Sequence, residues 1–301
     1  MARLLSILSG EAQRLALGAL TVLGRMYPAN RRSGTFVSDA EPAIIGGSGR
    51  CGTTLLRVML DSHGRFSCGP ESDLFFDKPA FLGRLARNFD LPRAEVARLF
   101  RQARSRAEFA DLFFRLYCER TGKPRWAEKS PDNLLNLEFI RAAFPRSKFI
   151  HILRDGRDVA CSFRTHPRHV VRRGRLVLTH NWHPIRWCIG RWVQAVETAR
   201  PYRRQPWYTE VKYEDLVASP RETMHRILDF LGEPWDENVL HFQDVPRDAT
   251  RFPANVEAVG PLKQSAAGRW RRDFSDEDKR IFKELAGPLL VELGYETADD
   301  W

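Results

Sequence analysis

Residues 46–57 read GGSGRCGTTLLR and follow the apolar run Ala43-Ile44-Ile45. A strand that turns through glycines into a helix aims backbone N–H groups and the positive helix end at one point, which suits an anion. Gly47 and Gly52 have the spacing of a phosphate-cradling loop, Thr53 and Thr54 add hydroxyl donors, and Arg50 adds a charged fork. A nucleotide triphosphatase places lysine where Thr53 stands, to reach the terminal phosphates. Neither that lysine nor an obvious Mg²⁺ carboxylate at the end of a later strand is present. A glycine turn with incidental threonines is the plainer alternative. A second stretch, HILRDGRDVACSF at 151–163, puts Arg154 at the end of an expected strand and Ser162 near the following helix. Ligands of open α/β folds bind at such carboxyl strand ends. Taken alone, Asp155 and Arg157 read equally well as solvated charges.

Positioning these residues requires strands that alternate with helices. Strands are expected at 43–47, 125–128, 147–153 and 207–213, with helices at 53–62 and 105–121. Ser130-Pro131 reads as N-cap and N1 of a further helix. In SPRETMHRILDFLG, Ser219 and Glu222 form an expected capping box, Gly232 ends the helix, and Met224, Ile227, Leu228 and Leu231 form its buried stripe. The class is α/β, a single domain with a mostly parallel central sheet flanked by helices. Residues 1–41 read as an N-terminal helix and linker and 42–301 as the domain. Basic loops are expected around 164–181 and 244–268, and the first could serve as a lid for an anionic acceptor.

The 301 residues are 43% hydrophobic and 29% charged, as in soluble globular proteins, with a net charge of +10. An anionic small molecule, nucleic acid or a membrane surface would each explain that charge, so composition leaves them open. Five dispersed cysteines without a CxxC pair argue against a zinc site or disulfide framework and fit a reducing cytoplasm. The apolar stretch between Arg14 and Arg25 is too short to span a bilayer and reads as an amphipathic helix, with peripheral membrane attachment the lesser reading.

The two phosphate motifs together resemble the family of sulfotransferases that use 3′-phosphoadenosine 5′-phosphosulfate (PAPS), and within it the tyrosylprotein enzymes and their bacterial relatives. GRCGTTLLRVMLDSH…CGPES, EKSPDNL, VKYEDLVASPRETMHRILDFLG and the closing GRW…LLVELGY match in order and spacing, over roughly residues 42–296. The resemblance implies a phosphate-loop sulfotransferase-like fold and a donor leaving as PAP, with no metal. By that likeness Arg50, Cys51, Gly52, Thr53 and Thr54 bind the 5′-phosphosulfate, and Arg154 and Ser162 take the 3′-phosphate. Tyr213 meets the adenine, Arg269 closes over the phosphates, Lys129 sits near the sulfuryl group, and Glu71 is the base. Four positions depart from the family pattern: Arg269 replaces a lysine, Asp73 an arginine, and Ala254-Asn255 a Ser-Thr pair.

The expected reaction is sulfuryl transfer to an acceptor hydroxyl, on a carbohydrate, small metabolite, lipid or peptide tyrosine. Glu71 would take the acceptor proton and Lys129 would neutralise charge on the leaving oxygen. His63, at the end of the first helix, reads as structural, and Trp182, Trp187 and Trp192 read as core. A phosphate-loop kinase and a non-catalytic polyanion binder are the alternatives. No nucleic acid is expected, and a homodimer is compatible with the reading.

Overall fold

Strands Ala43–Gly46 (β1), Phe66–Cys68 (β2), Arg125–Lys129 (β3) and Lys148–Leu153 (β4) are almost wholly buried, as strands of a parallel sheet covered on both faces must be. The structure is a computed structural model that describes residues 36–76, 81–164, 167–172, 175–180, 182–245, 267–298 and 301. Two strands at Pro167–Arg172 (β5) and Arg175–His180 (β6) form an antiparallel pair, and Tyr208–Lys212 (β7) completes the main sheet. That sheet is parallel throughout, in the order β2-β3-β1-β4-β7.

In chain order the principal helices are α1 (Thr53–Ser62), α2 (Leu82–Asn88), α3 (Arg93–Gln102), α4 (Arg106–Thr121), α5 (Leu137–Ala143) and α6 (Gly156–Arg164). They continue as α7 (Ile185–Ala199), α8 (Tyr213–Ala218), α9 (Pro220–Leu231), α10 (Trp270–Asp273) and α11 (Asp276–Glu292). Strand alternation sends Ala43, Ile45, Ala127, Ile150 and Ile152 into one core with α1, α6, α9 and α11. Ile44, Trp126 and Phe149 enter the other, with α2 to α5. The helices therefore cover both faces, as the α/β expectation required.

From β1 the chain moves to one side of the sheet through β2 and β3, then returns to β4 on the other side of β1. The carboxyl ends of β3, β1 and β4 are thus neighbours at a switch point, where open α/β sheets bind ligands.

Local expectations met several corrections. β2 was missed, because three residues are too few to show a period. The segment expected as the loop 164–181 contains the β5–β6 hairpin, whose sequence signal is valine-bearing runs on either side of Arg173-Gly174. Ser219 makes no side-chain cap, so the capping box of α9 is absent, although Gly232 ends the helix at φ 74° and the stripe is buried. Ser130 likewise makes no cap, and a 3₁₀ turn over Pro131–Asn136 precedes α5. Packing begins before residue 42, since Phe36 and Ala40 pack on the core and Ser38 binds Ala143 and Asp111. The N-terminal helix, Ala254-Asn255 and most of the 244–268 loop lie outside the described residues.

Candidate active site

Between β1 and α1 the backbone takes left-handed conformations at Arg50 (φ 71°) and Gly52 (φ 96°). For arginine that conformation costs on the order of 1–3 kcal/mol and persists where surrounding contacts impose it. The imposing contacts come from the residue after β4 and from α6: Arg154 Nη1 donates to the Arg50 carbonyl at 3.0 Å, and Arg50 Nε donates to Ser162 Oγ at 3.0 Å. Gly52 is obligatory for a second reason. A Cβ there would lie 2.3 Å from Tyr213 Cδ2.

The N-cap residue of α1 is Gly52, which has no side chain to cap the helix, so the first-turn N–H groups face the loop as an anion site. Ser48 Oγ is buried in the same loop and has no hydrogen-bond partner among the described residues. A buried hydroxyl without a partner is costly unless a ligand completes it. Loop, helix end and hydroxyl therefore fit an anionic phosphosulfate.

Cys51 cannot offer its side chain. The thiol donates to the Ser48 carbonyl at 2.6 Å, and burial pushes it up to about 12 despite nearby Arg154. Its contribution to the loop is therefore through the backbone. Thr53 is buried, while Thr54 is half-buried and meets Lys129.

Arg154 is 6% exposed and its guanidinium lies 4.5 Å over the Tyr213 ring. Tyr213 is buried between that cation and Gly52. It thus props the loop, and burial raises its phenol pKa, with Arg154 opposing. Arg269 is carried on the segment entering α10, and Asp158 of α6 holds this segment by accepting from Gly268 N (2.6 Å) and Trp270 N (3.0 Å). The Arg269 side chain itself pairs with Asp273 at 2.6 Å. It would have to leave Asp273 to close over phosphates.

Alternation along β3 turns Lys129 to the α1 face. Its Nζ, 1% exposed, lies 2.6 Å from Glu71 Oε1 and 3.3 Å from Thr54 Oγ1. One ammonium therefore bridges the expected base and a hydroxyl of the anion loop. The Glu71 side chain is 44% exposed, open to an acceptor. Partial desolvation by neighbouring atoms acts to raise its pKa, but Lys129, with Arg57 and Arg50 beyond it, outweighs that and leaves it below the ordinary value.

His63 caps the far end of α1, about 15 Å along the helix from the loop. Its Nε2 donates to the Pro234 carbonyl at 3.0 Å and its Nδ1 accepts from Arg65 N–H at 3.1 Å, so it is structural. Trp192 is core, as expected. Trp182 and Trp187 are exposed at 68% and 44%, contrary to the expectation for them. Arg164 lies over Trp182, and His183 stacks on Trp187.

Besides Ser48 and Asp158, two further participants escaped the sequence reading. Arg57, one turn into α1, is buried with Nη1 on the Cys68 carbonyl, and its charge reaches Glu71. Glu128, beside Lys129 but on the opposite face, is 1% exposed and accepts from Ser72, Ser130 and Asn133. Its only sequence signal is its place in the alternation, which does not reveal burial.

Residues 42–237 match the sulfotransferase family. A protein-tyrosine sulfotransferase of Drosophila melanogaster is 27% identical over 282 residues, covering 89% of this chain and 54% of that protein. The chain thus spans about half the length of that relative. Among solved structures, the sulfotransferase domain of the Synechococcus PCC 7002 olefin synthase superposes with a TM-score of 0.61 at 22% identity, covering 86% of this chain and 97% of that one. A mouse sulfotransferase complexed with PAP gives 0.50 at 14% identity, covering 85% and 86%. The structural likenesses are of fold, and they agree with the parallel sheet and its anion loop. With the family's sequence match extending over most of the domain, the chain belongs to the sulfotransferase family.

Proposed function

We propose that this sulfotransferase moves a sulfuryl group from PAPS to an acceptor hydroxyl. The observation that carries the reading is the meeting of three neighbouring strand ends: the uncapped α1 loop after β1, Lys129 with Glu71 at β3, and Arg154 with Ser162 beyond β4. The mouse neighbour solved with PAP supports the same donor.

The donor supplies a sulfuryl group on a phosphate–sulfate anhydride. The α1 N–H groups, Ser48, Arg50, Thr53 and Thr54 would hold its 5′ end, and Arg154 and Ser162 its 3′-phosphate. Tyr213 would bound the nucleotide side, and Arg269 would close the site on release from Asp273. Glu71 accepts the proton of the acceptor hydroxyl, whose oxygen forms the new S–O bond. Lys129 meets the negative charge on the oxygen whose S–O bond breaks. Positioning and fixed charge carry most of such a rate.

Thr53 in place of lysine disfavours the kinase alternative. The strand-side Glu128 carboxylate does not restore it as a metal ligand, since four protein hydrogen bonds already occupy it. Among the described residues no cluster of three metal-ligating side chains occurs.

Peptide tyrosine is the first acceptor we propose, because the Drosophila relative is named for it. Asp73 stands where the family pattern has arginine, and Arg84 approaches it at 2.9 Å, so recognition of an acidic peptide would differ here. Free, buried cysteines support a cytoplasmic setting as part of the proposal. Among the described residues no helix is long and apolar enough to cross a membrane; membrane contact and dimerisation remain expectations.

Calorimetry with PAP and 5′-AMP tests the donor reading. PAP should bind roughly ten- to a hundredfold tighter, as a charge-assisted contact to the extra phosphate implies. Equal affinities would remove it.

A further inference from the structure

We propose that Glu128 is a positioning residue for sulfuryl transfer, fixing the coil that carries Glu71 and the strand end that carries Lys129 in one register. This rests on the donor reading above. Glu128 Oε1 accepts from Ser72 N at 3.3 Å, Ser72 Oγ at 2.9 Å and Ser130 Oγ at 2.8 Å, and Oε2 accepts from Asn133 Nδ2 at 2.6 Å. Ser72 directly follows Glu71, and Ser130 directly follows Lys129. All four network residues are at least 97% buried.

The need for such a device follows from the sheet. β2 pairs with β3 only as far as Cys68 and Ala127, so the next four residues run past the strand end without a ladder. The Glu128 carboxylate supplies the acceptor that a strand would have given to Ser72 N–H. Asn133 Nδ2 also donates to the Ile45 carbonyl at 2.9 Å, which links the network to the strand feeding the anion loop. Glu128 itself faces away from Lys129, so it acts on the reacting groups through their neighbours.

Glu128→Gln changes one oxygen to a donor. If the carbonyl keeps the two serines, its NH₂ meets the Asn133 NH₂. Among the described residues Asn133 Oδ1 is buried without a partner, so an amide flip can relieve that clash only by releasing Ile45. The Glu71–Lys129 geometry then loosens. Misplacement on the order of 1 Å costs roughly a hundredfold in rate.

The test combines PAP calorimetry with turnover of labelled PAPS in a mutant cycle. Glu128→Gln should keep PAP affinity within about twofold while kcat falls roughly ten- to a hundredfold. In a Glu71→Gln background the further loss should shrink below about threefold, because both changes disable the same step. Should Glu128→Gln fail to fold, Ser72→Ala, which removes one donor, carries the same test with a smaller loss. Normal kcat in the variant, losses that multiply, or PAP affinity falling in parallel with kcat would each overturn the role. Failure of the wild-type chain to bind PAP or transfer label would instead refute the donor reading, and this role with it.

Discussion

Replacing Glu71 by Gln keeps shape and removes basicity, so the acceptor must lose its proton unaided. General-base help is worth about 10²–10⁴-fold, and kcat on an alcohol or ordinary phenol should fall by that factor. A nitrophenol, whose hydroxyl is already acidic, should lose less. The ion pair adds a sharper test. A base works only when deprotonated, so activity is lost as pH falls through its pKa. Lys129 at 2.6 Å helps hold the Glu71 pKa below its ordinary 4.5, and kcat/KM should therefore hold its plateau to below that pH. Lys129→Met leaves partial desolvation by neighbouring atoms, the largest influence, opposed by the more distant Arg57 and Arg50. The acid limb should then move to higher pH, beyond any fall in kcat. The assay is initial rate against pH for wild type and both variants with labelled donor. An unmoved acid limb in Lys129→Met, or near-normal turnover in Glu71→Gln, would refute the pairing of base and lysine; His63, with both ring nitrogens engaged, offers no replacement.

Arg154→Ala should erase most of the preference for PAP over 5′-AMP, about tenfold or more, and loosen the loop whose Arg50 carbonyl it holds; calorimetry reads the first effect and melting temperature the second. Gly52→Ala places a methyl against Tyr213 in a left-handed conformation, so it should lower stability by at least ~1 kcal/mol and weaken PAP binding more than tenfold, read by denaturant melts and titration. Arg157 sits in the corner made by the perpendicular rings of Trp270 and Trp301 and pairs with buried Asp155 and half-buried Glu296; Arg157→Met should cost about 3 kcal/mol, chiefly by stranding the Asp155 carboxylate, measured by urea unfolding.

The motifs were legible because they are local. Arg50, Thr53 and Thr54 sit on one turn, and Arg154 and Ser162 on one strand–helix unit, at the strand end and in the last turn of α6, so residue order nearly fixes their geometry. The hairpin at β5–β6 was obscured by basic residues that read as loop, although valines flank its connection. The Ser219 cap failed because the side chain is not used for the bond its type allows. Glu128, Arg57 and Asp158 could not be recognised, since a buried charge differs from a solvated one only in what surrounds it, and those surroundings are assembled by distant segments. Ser72 meets Glu128 across 56 residues, and Gly268 meets Asp158 across 110. The same limit explains Trp182 and Trp187, whose spacing matched a buried stripe while their faces remained open.

The most direct measurement is transfer of labelled sulfate from PAPS to a tyrosine peptide, a simple phenol, a carbohydrate and a lipid alcohol, with excess EDTA present throughout. Labelled product with at least one hydroxyl acceptor is expected, with PAP released in equal amount and no loss of rate on chelation. PAP binding without labelled product from any acceptor, or transfer only when Mg²⁺ and ATP replace PAPS, would contradict it.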